Sequence, residues 1–403
     1  MSIDMALNDC TARRENTALW VVALGVFAVT STEMMPIGLL PDIAADLGAS
    51  EGHVGLSVTL YGVLAGLLAP VLTSAFRRLD RRALLLLILA TFTVGNAATA
   101  LAVNYPMLMA SRLIIGLIHG VLWSIVASIA VRLVRPDRAV QATAIVFSGI
   151  SLALVLGVPV GALIGHFLGW RSAFWILAAL TALTFTLLAA LLPSLPPTGS
   201  PAARELPRLL RIRNLRVAVA LTSVVVIGNY AAYTYITPFL RDHARIDADW
   251  VSGLLLCYGI AGVVGNFVGA RFADGGRPPR KVLVTFVAVL CGSLILLVPA
   301  GAWTLGVTTL LIVWGAAYSA LPVILQTLVF RSVPDSREAA TSIYVLAFNV
   351  SIALGALAGG VAIDAAGPVL PIMVGAVFCA SSMAAALLLR DPSTPADGPQ
   401  HRP

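Results

Sequence analysis

Glu33 lies in VFAVTSTEMMPIGLLPDIAADL, residues 26–47, a stretch that is otherwise apolar or mildly polar. A charge at the centre of a membrane helix costs roughly 2.5–3.5 kcal/mol. Of the nineteen acids, Glu33 is the one that falls well inside an apolar run. Burial disfavours the charged form of a carboxyl, and a neighbouring cation favours it. A group held between those two pulls can load and release a proton near neutral pH. Arg112 is the basic residue inside an apolar run, at a similar depth from the end of its segment, and is the candidate partner. Gly116, His119 and Trp123 continue its helical face. Histidine titrates near physiological pH, so His119 suits a proton relay or a hydroxylated ligand. Two plainer readings stay open. Glu33 and Arg112 can be a static ion pair that fixes helix register, and His119 can simply bond a neighbouring helix.

A second set of residues suits binding rather than proton transfer. Asn229, Tyr230 and Tyr233 fall near the middle of one apolar segment, and Trp314 and Asn349 near the middle of two others. Hydroxyl-bearing rings fit both sugar faces and aromatic compounds. Tyr235 is nearer an interface, where tyrosine is common, and Gln326 nearer a segment end. Gly157, Gly161 and Gly165 recur every four residues around Pro159. That spacing lets helices approach closely, and the proline removes one helical hydrogen bond. Tight packing is the first reading there.

The solvent these residues meet follows from composition. The chain has 403 residues, 59% hydrophobic and 11% charged, with a mean hydropathy of +0.94. A soluble domain carries about 25% charged residues. Such a chain faces lipid over most of its area, so its net charge of +7 points to basic loops rather than to nucleic acid. Roughly 20 apolar residues cross a bilayer as a helix. Twelve segments qualify: 18–40, 54–75, 83–103, 107–131, 140–165, 172–192, 217–240, 250–270, 282–300, 304–329, 339–362 and 369–389. With the N-terminus inside, 22 of the 26 basic residues fall in inner segments, three in outer loops, and Arg112 in a span. Cytoplasmic termini are therefore expected. The polar start, with no short apolar run and cleavage site before the first span, does not read as a removable signal peptide. Cys10, Cys257, Cys291 and Cys379 have no paired spacing, so no disulfide framework, metal or other cofactor is expected.

The organisation reads as a cytoplasmic tail (1–17), a six-helix bundle (18–192), a linker (193–216), a second six-helix bundle (217–389) and a C-terminal tail (390–403). The linker is rich in proline early and arginine late. Its LPRLLRIRNL suits either a short amphipathic helix on the inner leaflet or a solvated connection. YGVLAGLLAPVL from Tyr61 resembles YGIAGVVGNFVG from Tyr258, and Pro41 and Pro238 share the same offset of 197. Two bundles in the same orientation are related by an axis along the membrane normal.

Four stretches carry a family resemblance: TEMMPIGLLPDIA, SRLIIGLIHGVLWSIVASIAVRL, LVLGVPVGALIGHFLGWRSAFW and NYAAYTYITPF. They resemble the major facilitator superfamily, and within it the drug–proton antiporter branch, close to bacterial sugar efflux transporters of the arabinose type. Chloramphenicol and nucleoside exporters share much of the pattern. The resemblance implies an all-α membrane protein of twelve helices in two pseudo-symmetric bundles. It implies a non-enzymatic, monomeric exporter in the bacterial inner membrane, with a small molecule, protons and lipid as its partners. Glu33, Arg112 and His119 would handle the proton. His119, Trp123, Asn229, Tyr230, Tyr233, Trp314 and Asn349 would bind cargo. One loop departs from the family: TSAFRRLDRR puts Arg77 where an acid is expected, followed by Arg81 and Arg82. The equivalent loop of the second half keeps its acid as Asp274, so any gating clamp would fall to that residue.

Overall fold

The computed structural model describes residues 2–76, 78–135, 138–197, 211–274, 279–333 and 337–386. The first bundle comprises α1 (Ser2–Leu47), α2 (Glu51–Ala75), α3 (Arg81–Ala100), α4 (Tyr105–Arg132), α5 (Ala139–Leu168) and α6 (Trp170–Leu191). The second comprises α7 (Arg213–Tyr233), α8 (Ala248–Asp274), α9 (Pro279–Leu297), α10 (Thr304–Ser332), α11 (Arg337–Ala366) and α12 (Val369–Ala386). Among the described residues, eleven helices are long and apolar enough to cross a membrane, and α12 contributes a shorter apolar stretch, Val369–Ala384. Helices answer the demand that backbone amides be paired internally in lipid.

The first helix departs from expectation at both ends. It starts at Ser2 rather than at residue 18, and it runs through Pro36 and Pro41 to Leu47. In the second half the equivalent of Pro41 has a different effect. Pro238 has no N–H to offer the preceding turn. There α7 ends at Tyr233, and the chain continues as a short Ile236–Pro238 turn and a wider Phe239–His243 turn. The repeat shows elsewhere in the joints. Gly169 between α5 and α6 has φ +80°, and Gly367 between α11 and α12 has φ +77°. Both take the left-handed conformation that glycine adopts without strain.

Close packing positions the site. On α5, a Cβ at Gly157 would lie 3.4 Å from Ser31, while one at Gly161 would overlap Met35 and one at Gly165 would overlap Leu39. On α1, a Cβ at Gly38 would lie 2.7 Å from the Val158 carbonyl beside Pro159. The glycine spacing thus serves to lay α1 against α5.

The loop with the unusual motif is tied to its own half. Asp80 caps α3 by accepting the Arg82 and Ala83 amides, and it also accepts the Ser194 hydroxyl at 2.6 Å. The Arg81 amide donates to Leu195 O at 2.8 Å, and Arg82 Nη2 donates to Ala189 O at 2.6 Å. Arg77, residues 206–210 of the amphipathic stretch and the C-terminal tail lie outside the described residues, whereas Arg213, Asn214 and Leu215 of that stretch form the first turn of α7. Asp274 is the last residue of α8.

Candidate functional site

His119 is the hub of the first bundle. It is fully buried on α4, where its Nε2 accepts the Trp123 indole N–H at 2.8 Å and its Nδ1 meets the Tyr61 hydroxyl at 2.7 Å. Glu33 Oε2, on α1, lies 3.5 Å from the same Nε2. A ring nitrogen carries one proton or one lone pair, not both. With its lone pair taken by Trp123, Nε2 has no proton to give Glu33. The Glu33–His119 contact is therefore not an ion pair with an imidazolium. The ring is neutral, with its proton on Nδ1 facing Tyr61.

Arg112 takes a different place from the one expected. Its guanidinium carbon sits 4.9 Å from the centre of the Tyr61 ring, a cation–π geometry. Nε, Nη1 and Nη2 have no hydrogen-bond partner among the described residues, although the side chain is only 1% exposed. No ion pair joins Arg112 to Glu33 within 4.0 Å among the described residues. Arg112 thus acts on Glu33 as a nearby charge rather than through a direct contact, because similar depth leaves the direction around each helix open. The stripe on α4 is nevertheless real as geometry. Arg112 and His119 both face Tyr61, and a Cβ at Gly116 would lie 3.0 Å from the Tyr61 backbone.

This buried polar cluster extends beyond the expected residues. Tyr61 was legible only as the first letter of the internal repeat. Thr32 accepts a hydrogen bond from Asn96 Nδ2 at 3.0 Å, which ties α1 to α3. The hydroxyls of Thr30 and Ser31, both buried, have no partner among the described residues.

The second bundle presents rings. Tyr233 and Tyr258 stack, with centroids 4.7 Å apart and planes 20° apart. Trp314 meets both edge-on at 6.1 and 5.4 Å, and Tyr230 meets Tyr233 and Tyr318 edge-on at 6.4 and 6.2 Å. The Trp314 indole donates to Asn229 Oδ1 at 2.8 Å, which joins these two expected residues, while the buried Asn229 Nδ2 has no partner among the described residues. Trp314 is fully buried. Asn349 stands apart from this cluster. Its amide donates to Val345 O of its own helix at 2.9 Å, and its backbone faces Gly62 of α2. Tyr258 and Tyr318 are additions to the expected set.

The cross-half polar contacts gather at the end of the bundle that is poor in arginine. Arg241 holds Asp42 with two bonds, at 2.7 and 3.3 Å, and the Thr237 hydroxyl donates to Ile37 O at 3.0 Å. His166 pairs with Asp249, and Ser50 with Asp364. Tyr235 and Ile363 of the second half join the apolar cluster of the first at this end.

Two helical bundles closed over one end, with polar and aromatic groups buried between helices at mid-depth, define a polytopic membrane transporter. The Major Facilitator Superfamily model matches residues 22–340, and the chain belongs to that family. Among solved structures, it resembles a bacterial homologue of the human lysosomal transporter Spinster, captured inward-facing and unoccupied. The TM-score is 0.73 at 15% identity, over 93% of this chain and 94% of that one. The nucleoside transporter NupG gives 0.74 at 14% identity, over 93% and 98%. The human organic anion transporter MFSD10 gives 0.63 at 19%, over 92% and 99%. Likeness at this level establishes a shared fold and leaves cargo to the site itself.

Proposed function

We propose that this transporter is a proton-driven exporter that moves sugars or sugar-like compounds out of a bacterial cell by alternating access. The carrying observation is Glu33, buried on α1 beside a neutral His119, with the guanidinium of Arg112, which has no hydrogen-bond partner among the described residues, against the ring of Tyr61. A neutral carboxylic acid tolerates a neighbouring Nε2 that has no proton to give, and a carboxylate is drawn to Arg112. Loss of one proton therefore changes which neighbour suits Glu33. The basic side of the chain is taken as cytoplasmic, following the charge asymmetry of its loops. With the arginine-poor end shut, cargo enters from the cytoplasm and Glu33 releases its proton inward. After the halves rock, cargo leaves and Glu33 is reprotonated from outside.

The tyrosine and tryptophan cluster of the second half favours a second reading, a nucleoside or an aromatic drug of the chloramphenicol kind as cargo. Rings stack on rings as well as on sugar faces. A panel of pentoses, thiogalactosides, nucleosides and chloramphenicol separates the two. Each compound is scored by thermal shift of the purified protein, and hits are then followed into proteoliposomes with and without a pH gradient. Sugar binding with gradient-driven accumulation supports the proposal. Exchange that ignores the gradient identifies a facilitator instead.

A further inference from the structure

The halves meet closely where the start of α2 reaches the end of α11. Asp364 Oδ1 accepts the Gly52 amide at 3.0 Å, and Oδ2 accepts the Ser50 hydroxyl at 2.8 Å. Ser50 Oγ in turn accepts the His53 amide at 3.1 Å, which makes Ser50 the N-cap of α2. The orphan amides and positive dipole end of a helix favour a carboxylate. Here that carboxylate comes from the opposite half of the molecule. One turn further on, the Tyr235 hydroxyl donates to Ala356 O at 2.9 Å and lies directly over Gly55.

Space along this seam is graded. A Cβ at Gly52 would overlap the Asp364 carboxylate and come 2.5 Å from Gly360 O, and one at Gly55 would overlap the Tyr235 hydroxyl. Deeper along the same helix pair, a Cβ at Gly62 or Gly66 would meet nothing closer than 3.3 Å. The seam tightens toward the arginine-poor end. Gly52 and Gly55 are therefore required while that end is shut, and they lose that constraint once α2 and α11 part.

We propose that Asp364 and Tyr235, seated on Gly52 and Gly55, form a latch that holds the arginine-poor end closed. A side chain added at either glycine shifts the protein toward the conformation open at that end. The latch rests on the alternating-access reading above. Arg241 with Asp42 braces the same end at a second point, so opening one contact shifts the balance and does not abolish closure.

Spin labels at Ala45 on α1 and Ala365 on α11, both exposed at this end, report the separation of the halves by pulsed electron resonance in proteoliposomes. The four native cysteines are first replaced by alanine. The parent is expected to give mainly a short distance. Gly55→Ala and Gly52→Ala raise the ratio of long to short distances by roughly ten-fold, the scale of overpacking a tight contact. Gly62→Ala leaves the ratio near that of the parent. Asp364→Asn and Ser50→Ala add no bulk and carry the test if a glycine variant fails to assemble. Their expected rise is a few-fold, because the contact is partly exposed. Two results overturn the latch. If a second distance appears in Glu33→Gln but in none of the latch variants, the latch alone is wrong. If one distance persists in every variant, Glu33→Gln included, alternating access at this end fails as well.

Discussion

Tyr61 and Tyr258 hold the same place in the two halves, yet they look onto different chemistry. Each backs onto a glycine of the fourth helix of its bundle, Gly116 and Gly315, which are themselves 199 residues apart. Around Tyr61 stand Arg112, His119 and Glu33. With the same offsets, Arg112 maps to Leu311, His119 to Tyr318 and Glu33 to Tyr230. The Glu33–His119 approach in the first half is matched by the edge-on Tyr230–Tyr318 contact in the second. Every buried acid, arginine and histidine side chain among the described residues, namely Glu33, Arg81, Arg112 and His119, lies in the first half. Tyrosine titrates near pH 10, far from physiological pH. One scaffold thus carries two kinds of side chain: acid, arginine and histidine on one side of the pseudo-axis, aromatic rings on the other.

The largest effect is expected at Glu33. Glu33→Gln is expected to abolish gradient-driven accumulation while leaving cargo exchange measurable in counterflow. Loss of both would place Glu33 in binding rather than coupling. Arg112→Met comes next, and here stability and activity should part. Breaking a structural buried ion pair costs roughly 3–5 kcal/mol. Arg112 has no such pair among the described residues, so its removal should leave the thermal transition unchanged or raised while uphill transport falls more than about ten-fold. A large drop in thermal stability would mark it as a structural partner.

Two substitutions address the aromatic half. Tyr318→Phe and Tyr258→Phe should weaken cargo binding several-fold and leave the ratio of protons to cargo unchanged. A changed ratio would spread coupling across both halves. The smallest effect belongs to the arginine-rich end. Desolvation acts to raise the pKa of Asp80, but hydrogen bonds from Ser194 and from the Ala83, Arg82 and Leu195 amides outweigh it and hold the carboxyl below its ordinary range. A depressed folded value means that the stabilisation is full above the ordinary aspartate range and fades as pH falls through the folded value. Ser194→Ala should reduce that acid dependence slightly in thermal melts, with no change in transport.

Much of this was readable before any coordinates. Twelve apolar segments with basic turns announce the bundle, since lipid leaves helices as the available form. Glu33 and His119 stand out because ionisable groups are costly there. What stayed hidden was direction around the helix axis. Arg112 shares a depth with Glu33 but turns its guanidinium onto Tyr61, and no spacing rule within one helix predicts a neighbour on another. Tyr61 and Tyr258 were visible as a repeat and not as a site, because a tyrosine in an apolar run carries no cost that marks it. Asn349 was expected among the pocket residues on depth alone, and its position against α2 depends on how the halves meet. The helical start of α1 was missed for a different reason: its polar residues carry no apolar period to read.

Coupled export requires a proton to leave Glu33 when cargo binds. The most direct measurement is proton release on adding a cargo identified from the panel to purified protein in weakly buffered solution, followed with a pH indicator. The parent should release protons in proportion to cargo bound, and Glu33→Gln should bind the same cargo and release none. Equal release from both proteins would contradict the account.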